Sequence, residues 1–176
     1  MHQKSPDRRI LAIALRSRRF GFAVFEESNR LLDWGMVFYP LNNSAQRVAA
    51  SKRVASLLTM FTPSVVVLGT ARPLNGRSGS GIRPILRSIR REASARLIPI
   101  HLMKSAEVRE IFRPLRAISK HQIASGLTEV FPELLWKLPP KRKIWETEHF
   151  RMVLFDAVAL GFAYWLRNGE RDPTEE

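Results

Sequence analysis

The chain is expected to fold as an α/β domain with helices on both faces of one mixed sheet. Three observations lead there. Three apolar, β-rich runs open the sequence, separated only by short polar turns. A continuous apolar run, Val65-Val66-Val67-Leu68-Gly69, follows a helical stretch, as expected of a central strand buried on both faces. The resulting order of strands and helices then requires crossover connections, which place helices over the sheet.

The three opening runs are Arg9 to Leu15, Phe20 to Glu26 and Leu31 to Tyr39. Their connections, Ser17-Arg18-Arg19 and Glu27-Ser28-Asn29-Arg30, are of hairpin length, so the three strands form an antiparallel meander. From Asn42 to Phe61 apolar residues recur at helical spacing (Val48, Val54, Leu57, Leu58, Phe61), and Pro63 ends the pattern. After the Val65 run comes a glycine- and arginine-rich loop. A second amphipathic helix spans about Ser80 to Ala95, with Ile82, Ile85, Leu86 and Ile89 on one face, and Leu97 to Leu102 forms the last strand. Helices follow at Ser105 to Phe112, Ile118 to Phe131 and Ile144 to Leu166, the last two joined by a connector from Pro132 to Lys143. Residues 1–8 read as a flexible leader, 9–167 as a single domain and 168–176 as a polar tail.

Composition narrows the function classes. Apolar residues make up 45% of the 176 and charged residues 26%, values of an ordinary globular domain. The absence of cysteine removes disulfides, thiol catalysis and thiolate zinc sites. The longest apolar run, Met152 to Leu166, contains Asp156 and is shorter than the roughly 20 residues a spanning helix needs, so no membrane partner is expected and a cytoplasmic location is. Charge is the outlier: 29 Lys and Arg against 16 Asp and Glu give +13, and 22 of the 29 are Arg. Guanidinium groups match phosphate oxygens bidentately, so the bias points to nucleic acid, DNA or RNA, gripped by its phosphate backbone.

Ile10-Leu11-Ala12-Ile13-Ala14-Leu15-Arg16-Ser17-Arg18-Arg19-Phe20-Gly21-Phe22 resembles the opening strand, Gly-Ser-Arg turn and Gly-aromatic second strand of the RuvC resolvases, a branch of the ribonuclease H-like superfamily. Ile98 to Lys104 resembles that family's fifth strand with its following Lys, Lys120-His121-Gln122-Ile123 its Lys-x-Gln-apolar helix start, and Asp156-Ala157-Val158-Ala159 its Asp-Ala-x-Ala signature. Pro73-Leu74-Asn75-Gly76 is more similar to the YqgF relatives, linked to processing of ribosomal RNA precursors. The resemblance implies a ribonuclease H-like fold with a five-stranded sheet in order 3-2-1-4-5 and strands four and five parallel to strand one. It also implies a pair of magnesium ions held between carboxylates at the ends of strands one and four and on the last helix at i and i+3. At those places stand Ala14, Leu68 and Gly69, Val153 and Asp156, so Asp156 is the one acid retained; Lys104 stands where the YqgF branch places another.

A single carboxylate does not make a two-metal centre. The expectation is therefore a nucleic-acid-binding protein, a pseudo-nuclease with no catalytic residue, no metal and no cofactor. Its binding residues would be Arg16, Arg18, Arg19, Arg72, Arg77, Arg83, Arg87 and Lys120, with Arg90 and Arg91 extending the helical stripe and Lys137, Lys141, Arg142 and Lys143 in the connector. Without the carboxylates, the arginines beside them would stand unopposed. Two alternatives remain. One is an active structure-specific endonuclease with Mg2+ in a rearranged site. Glu146, Glu148 and His149 precede Asp156 on the same expected helix, but two turns, about 10 Å, separate His149 from Asp156, too far for one ion to bridge; Glu146 and Glu148 then read as surface acids and His149 as a packed residue. The other is a non-catalytic scaffold subunit, kept for homodimerisation or for docking onto a larger assembly, with Trp136, Trp145 and Trp165 as candidate interface aromatics.

Overall fold

The computed structural model describes residues 8–40, 42–70 and 81–168. β1 (Arg9–Leu15), β2 (Arg19–Glu26) and β3 (Leu31–Phe38) form the antiparallel meander; β4 (Val65–Thr70) runs parallel to β1, and β5 (Ile100–Leu102) parallel to β4. The sheet order is β3-β2-β1-β4-β5, as expected. β1 and β4 hold the centre, which is why both are apolar on consecutive residues and not on alternate ones.

The two-residue period of the strands divides the core into two layers. Leu11, Ile13 and Leu15 of β1 and Phe20, Phe22 and Val24 of β2 pack under α1 (Ser44–Phe61) and α2 (Arg83–Ala95). Ala12, Ala14, Ala23, Phe25 and Val67 face the other side, against α3 (Ser105–Phe112), α4 (Lys120–Val130) and α5 (Met152–Asn168). The small residues on this second face let α5 settle onto the sheet. A Cβ on Gly21 would sit 2.1 Å from the Val153 carbonyl oxygen, and one on Gly161 would sit 2.1 Å from the Phe25 ring.

Helix starts follow local capping. Asn43 accepts a hydrogen bond from the Gln46 amide at 3.0 Å, and Ser119 and Gln122 form a capping box that begins α4 two residues later than the apolar pattern suggested. α2 begins at Arg83 and not near Ser80, and β5 covers three residues, not six. The latter is shortened because Leu97 takes a left-handed backbone (φ 56°), is 92% exposed, and closes the end of α2 through the Ile98 amide to the Ala93 carbonyl.

The largest departure lies at the C-terminal helix. It starts at Met152, and 144–151 is a run of turns. Ile144 is 99% exposed and Trp145 78%, so the apolar spacing that suggested a longer helix has no core to face. The chain is tied locally instead, by the Lys143 amide to the Glu146 carboxylate at 2.8 Å and the Glu146 amide to the Lys143 carbonyl at 3.1 Å. Among the described residues no helix is long and apolar enough to cross a membrane.

Candidate nucleic-acid interface

β1 ends at Leu15, and the turn that follows is held from beneath. The Arg16 amide donates to the Arg19 carbonyl at 2.9 Å, and the Tyr39 amide donates to the Arg18 carbonyl at 2.8 Å. The Tyr39 hydroxyl, fully buried, donates to the Arg16 carbonyl and lies 3.1 Å from that of Arg19. Burial pushes its pKa up, only partly offset by the charge of Arg19, so it remains a proton donor. The result is a fixed platform that carries Arg16, half-buried against Asp156, and Arg18, exposed to solvent.

Beside this platform, a cleft of about 420 Å³ opens at the C-terminal ends of β1 and β4, between α3, α4 and α5. Among the described residues its charged lining is Arg16, Arg109, Lys120 and Asp156. Arg16 is ion-paired to Asp156 and lies 3.2 Å from Glu148; Lys120 lies 2.7 Å from Glu148 and 3.5 Å from Asp156. Two cations and two anions thus close a square. Burial pushes the Glu148 carboxyl up, but the hydrogen bond and charge of Lys120, with the charges of Arg16 and Arg142, outweigh it and hold the group below the usual carboxylate range.

The floor of the cleft bears on the metal question. Gly21, Ala14 and Gly69 lie in register across β2, β1 and β4, a row without a single ligand atom. A Cβ on Gly69 would come within 2.5 Å of Leu160, and the Val153 carbonyl already rests on Gly21, so α5 occupies the space above the row. Leu68 points into the opposite core layer. Asp156 is turned to Arg16 and Lys120. Hard divalent cations require about six oxygen ligands in a site free of competing cations, and the residues present here do not fit a two-metal centre. Among the described residues no three His, Asp or Glu side chains are gathered as a metal-holding group.

The structure brings together only part of the set of binding residues expected from sequence. Arg16 and Lys120 share the cleft; Arg18, exposed, and Arg19, half-buried, follow Arg16 in the turn after β1 but do not line it. Arg83, Arg87, Arg90 and Arg91 are exposed along α2, which belongs to the opposite layer, so that stripe is a separate surface. Arg72 and Arg77 lie outside the described residues. Arg16 is not unopposed, because Glu148 reaches it together with Asp156. Glu148 was expected two turns up a helix; the irregular segment 144–151 carries it back to Arg16 and Lys120 of the cleft lining. His149 stacks on Phe150, and its Nδ1 accepts from the Arg151 amide at 3.2 Å. Trp165 is packed against the core, unlike Trp136 and Trp145, which are exposed.

Arg109 was missed. Its signal is helical spacing: Val108 and Phe112 mark the buried face of α3, which turns Ser105 and Arg109 together to the cleft. It has no ion-pair partner among the described residues, so it is the cleft's uncompensated charge.

No family model matches the sequence, and no curated protein does. Solved structures do match by fold. RuvC from Thermus thermophilus in complex with a Holliday junction substrate is 17% identical, with a TM-score of 0.69 over 92% of this chain and 96% of that one. Another structure of the Thermus thermophilus RuvC gives 16% and 0.68, with 92% and 96% covered. The yeast mitochondrial Holliday junction resolvase Ydc2 gives 14% and 0.60, covering 94% of this chain and 82% of its own.

Proposed function

Starting from a RuvC-like ribonuclease H-like fold, we propose that this chain binds nucleic acid through phosphate contacts at the cleft and does not carry out metal-dependent hydrolysis. The observation that carries the reading is the square of Arg16, Lys120, Glu148 and Asp156 beside the row of Gly21, Ala14 and Gly69, which offers no side-chain ligand. Side-chain cations occupy the place where a metal pair would need carboxylates. The square is neutral, and Arg109 inside the cleft, with exposed Arg18 in the turn two residues after Arg16, tips the balance towards anions. The RuvC structure with a Holliday junction makes branched DNA the first ligand to try.

The test is a binding series on four-way junction, duplex and single-stranded DNA and structured RNA, with magnesium present so that cleavage is read together with affinity. Each phosphate contact on duplex DNA contributes about 0.9 to the log-log salt slope. Arg18→Ala and Arg109→Ala should each lower the slope by about that amount, while Arg87→Ala and Arg90→Ala, on the far layer, should leave it unchanged. Equal small losses from both sets would reduce the binding to diffuse attraction, and a salt-independent affinity would remove the phosphate reading.

A second reading draws on Glu148. With Asp156 it puts two carboxylates around one space, as a rearranged nuclease site would require if Arg16 and Lys120 withdrew. Magnesium-dependent cutting of a junction that Glu148→Gln abolishes, with the fold intact, would establish that reading in place of the first.

A further inference from the structure

We infer that the β3 edge of the sheet, with the segment 136–151 that meets it at Trp136 and Phe150, is a stacking track for unpaired nucleotides that runs from the cleft. The inference rests on the nucleic-acid reading and names the substrate class of that surface. Among the described residues β3 pairs only with β2. Its residues Trp34, Met36 and Phe38 alternate onto the face shared with α5, and two rings from the later segment meet them. Trp136 packs edge-on to Trp34 at 6.1 Å, and Phe150 lies 6.2 Å from Phe38. Trp34 and Phe38 are four residues apart on one strand, about 13 Å, so the two aromatic pairs mark the ends of a line.

One end of that line adjoins the cleft. Phe38 is in register with Arg19, at the turn that carries Arg16, and Phe150 follows by two residues the Glu148 that binds Arg16 and Lys120. The rings are open for large apolar groups: Trp136 is 66% exposed, Phe38 48% and Phe150 41%, with one face of Phe150 covered by His149, and Trp145, in the segment that joins Trp136 to Phe150, is 78% exposed. Exposed aromatic surface of this kind marks a binding face.

Charge decides between occupants. A cation stands over each exposed ring of the segment: Lys137 at 4.0 Å from the Trp136 centroid, Lys143 at 5.5 Å from Trp145, and Arg151 at 5.6 Å from Phe150. Protein interfaces deplete lysine at their apolar centres. A platform for single-stranded nucleic acid has the opposite design, rings for the bases and interleaved cations for the phosphates. A duplex hides the faces of its bases in its own stack, so only an unpaired strand can use the rings.

The experiment compares an oligothymidylate of about a dozen nucleotides, an abasic oligonucleotide of the same length and a duplex of that length, by fluorescence anisotropy and by quenching of tryptophan emission. The oligothymidylate should bind at least about fivefold more tightly than the abasic strand and should quench. Trp136→Ala and Trp145→Ala should each cost about fivefold or more on the oligothymidylate and nothing on the abasic strand, and Trp145→Phe should restore most of the loss. Both tryptophans are exposed, so the variants should melt as the parent does. Equal affinity for base-bearing and abasic strands, with duplex still bound, would overturn the track and leave the nucleic-acid reading standing. Failure of all three probes to bind would overturn both. Loss of self-association in Trp136→Ala with unchanged oligothymidylate affinity would assign the patch to a second copy of the chain and overturn the track.

Discussion

Replacing Asp156 by Asn separates a phosphate-binding cleft from a metal centre by sign. In a metal centre the substitution removes a ligand, so activity and metal-assisted affinity both fall. Here it removes one of two carboxylates that neutralise Arg16 and Lys120, and the cleft gains one net positive charge. A phosphate about 6 Å from that carboxylate is repelled by about 0.7 kcal/mol with water-like screening and by nearly 3 kcal/mol at an effective dielectric of about 20. Because Asp156 is still one-fifth exposed, the lower half of that interval applies, a gain of about three- to twentyfold in affinity. The salt slope should steepen by about 0.9 if the freed cation takes up one more phosphate. Stability moves the other way, since Arg16 loses its nearest partner and keeps Glu148 at 3.2 Å, so a loss near 1 kcal/mol is expected. The assay is anisotropy of labelled junction and duplex between about 50 and 200 mM salt, paired with urea unfolding. Weaker binding with an unchanged slope would refute the electrostatic account, and loss of a magnesium-dependent cut would refute the absence of catalysis.

Three further outcomes follow from the same geometry. Gly21→Ala should destabilise by about 3 kcal/mol or more, because the new Cβ meets the Val153 backbone carbonyl, whereas Gly69→Ala meets only the tip of Leu160 and should cost about 1 kcal/mol; denaturant midpoints order the two. Tyr39→Phe removes the buried donor beneath the Arg16–Arg19 turn and should cost about 1–2 kcal/mol, with a drop in affinity from the loosened arginines that Arg87→Ala does not reproduce. Glu148 has a pKa held below its unfolded value of about 4.3. Its contribution is therefore fully present above that pH and is lost as the pH falls through the lower, folded value. The stability difference between the parent and Glu148→Gln should be flat near neutrality and shrink below about pH 4, and a difference that grew on acidification would contradict the assignment.

The fold was legible because its elements announce themselves by period. β1 from Ile10 to Leu15 and β4 from Val65 to Leu68 are apolar at consecutive positions, which only a doubly covered central strand tolerates, and the short turns at 16–18 and 27–30 leave no topology for the first three strands except a meander. Boundaries were less legible where a single backbone conformation decides them. Nothing in the apolar pattern of 97–102 marks Leu97 as left-handed, yet that residue ends the connection and trims β5 to three residues.

The cleft was legible only where regular elements supply it. Arg16 and Lys120 follow from the strand end and the helix start, and Arg109 from the buried face of α3, since the direction of a side chain on a helix or strand is set by its number in the period. Glu148 has no such rule. It lies in 144–151, whose Ile144, Trp145 and Phe150 imitate the apolar spacing of a helix, and periodicity cannot distinguish rings that face a core from rings that face solvent. A charge argument would have reached it. An arginine at the end of a central strand, half-buried beside a single aspartate and a lysine, leaves an excess positive charge that a partly desolvated site does not hold without a second anion. The acids close enough in sequence to supply it are Glu146 and Glu148. Of these, Glu146 is spent on the amide of Lys143, which leaves Glu148 to complete the square and, two residues on, to seat Phe150 against the β3 edge.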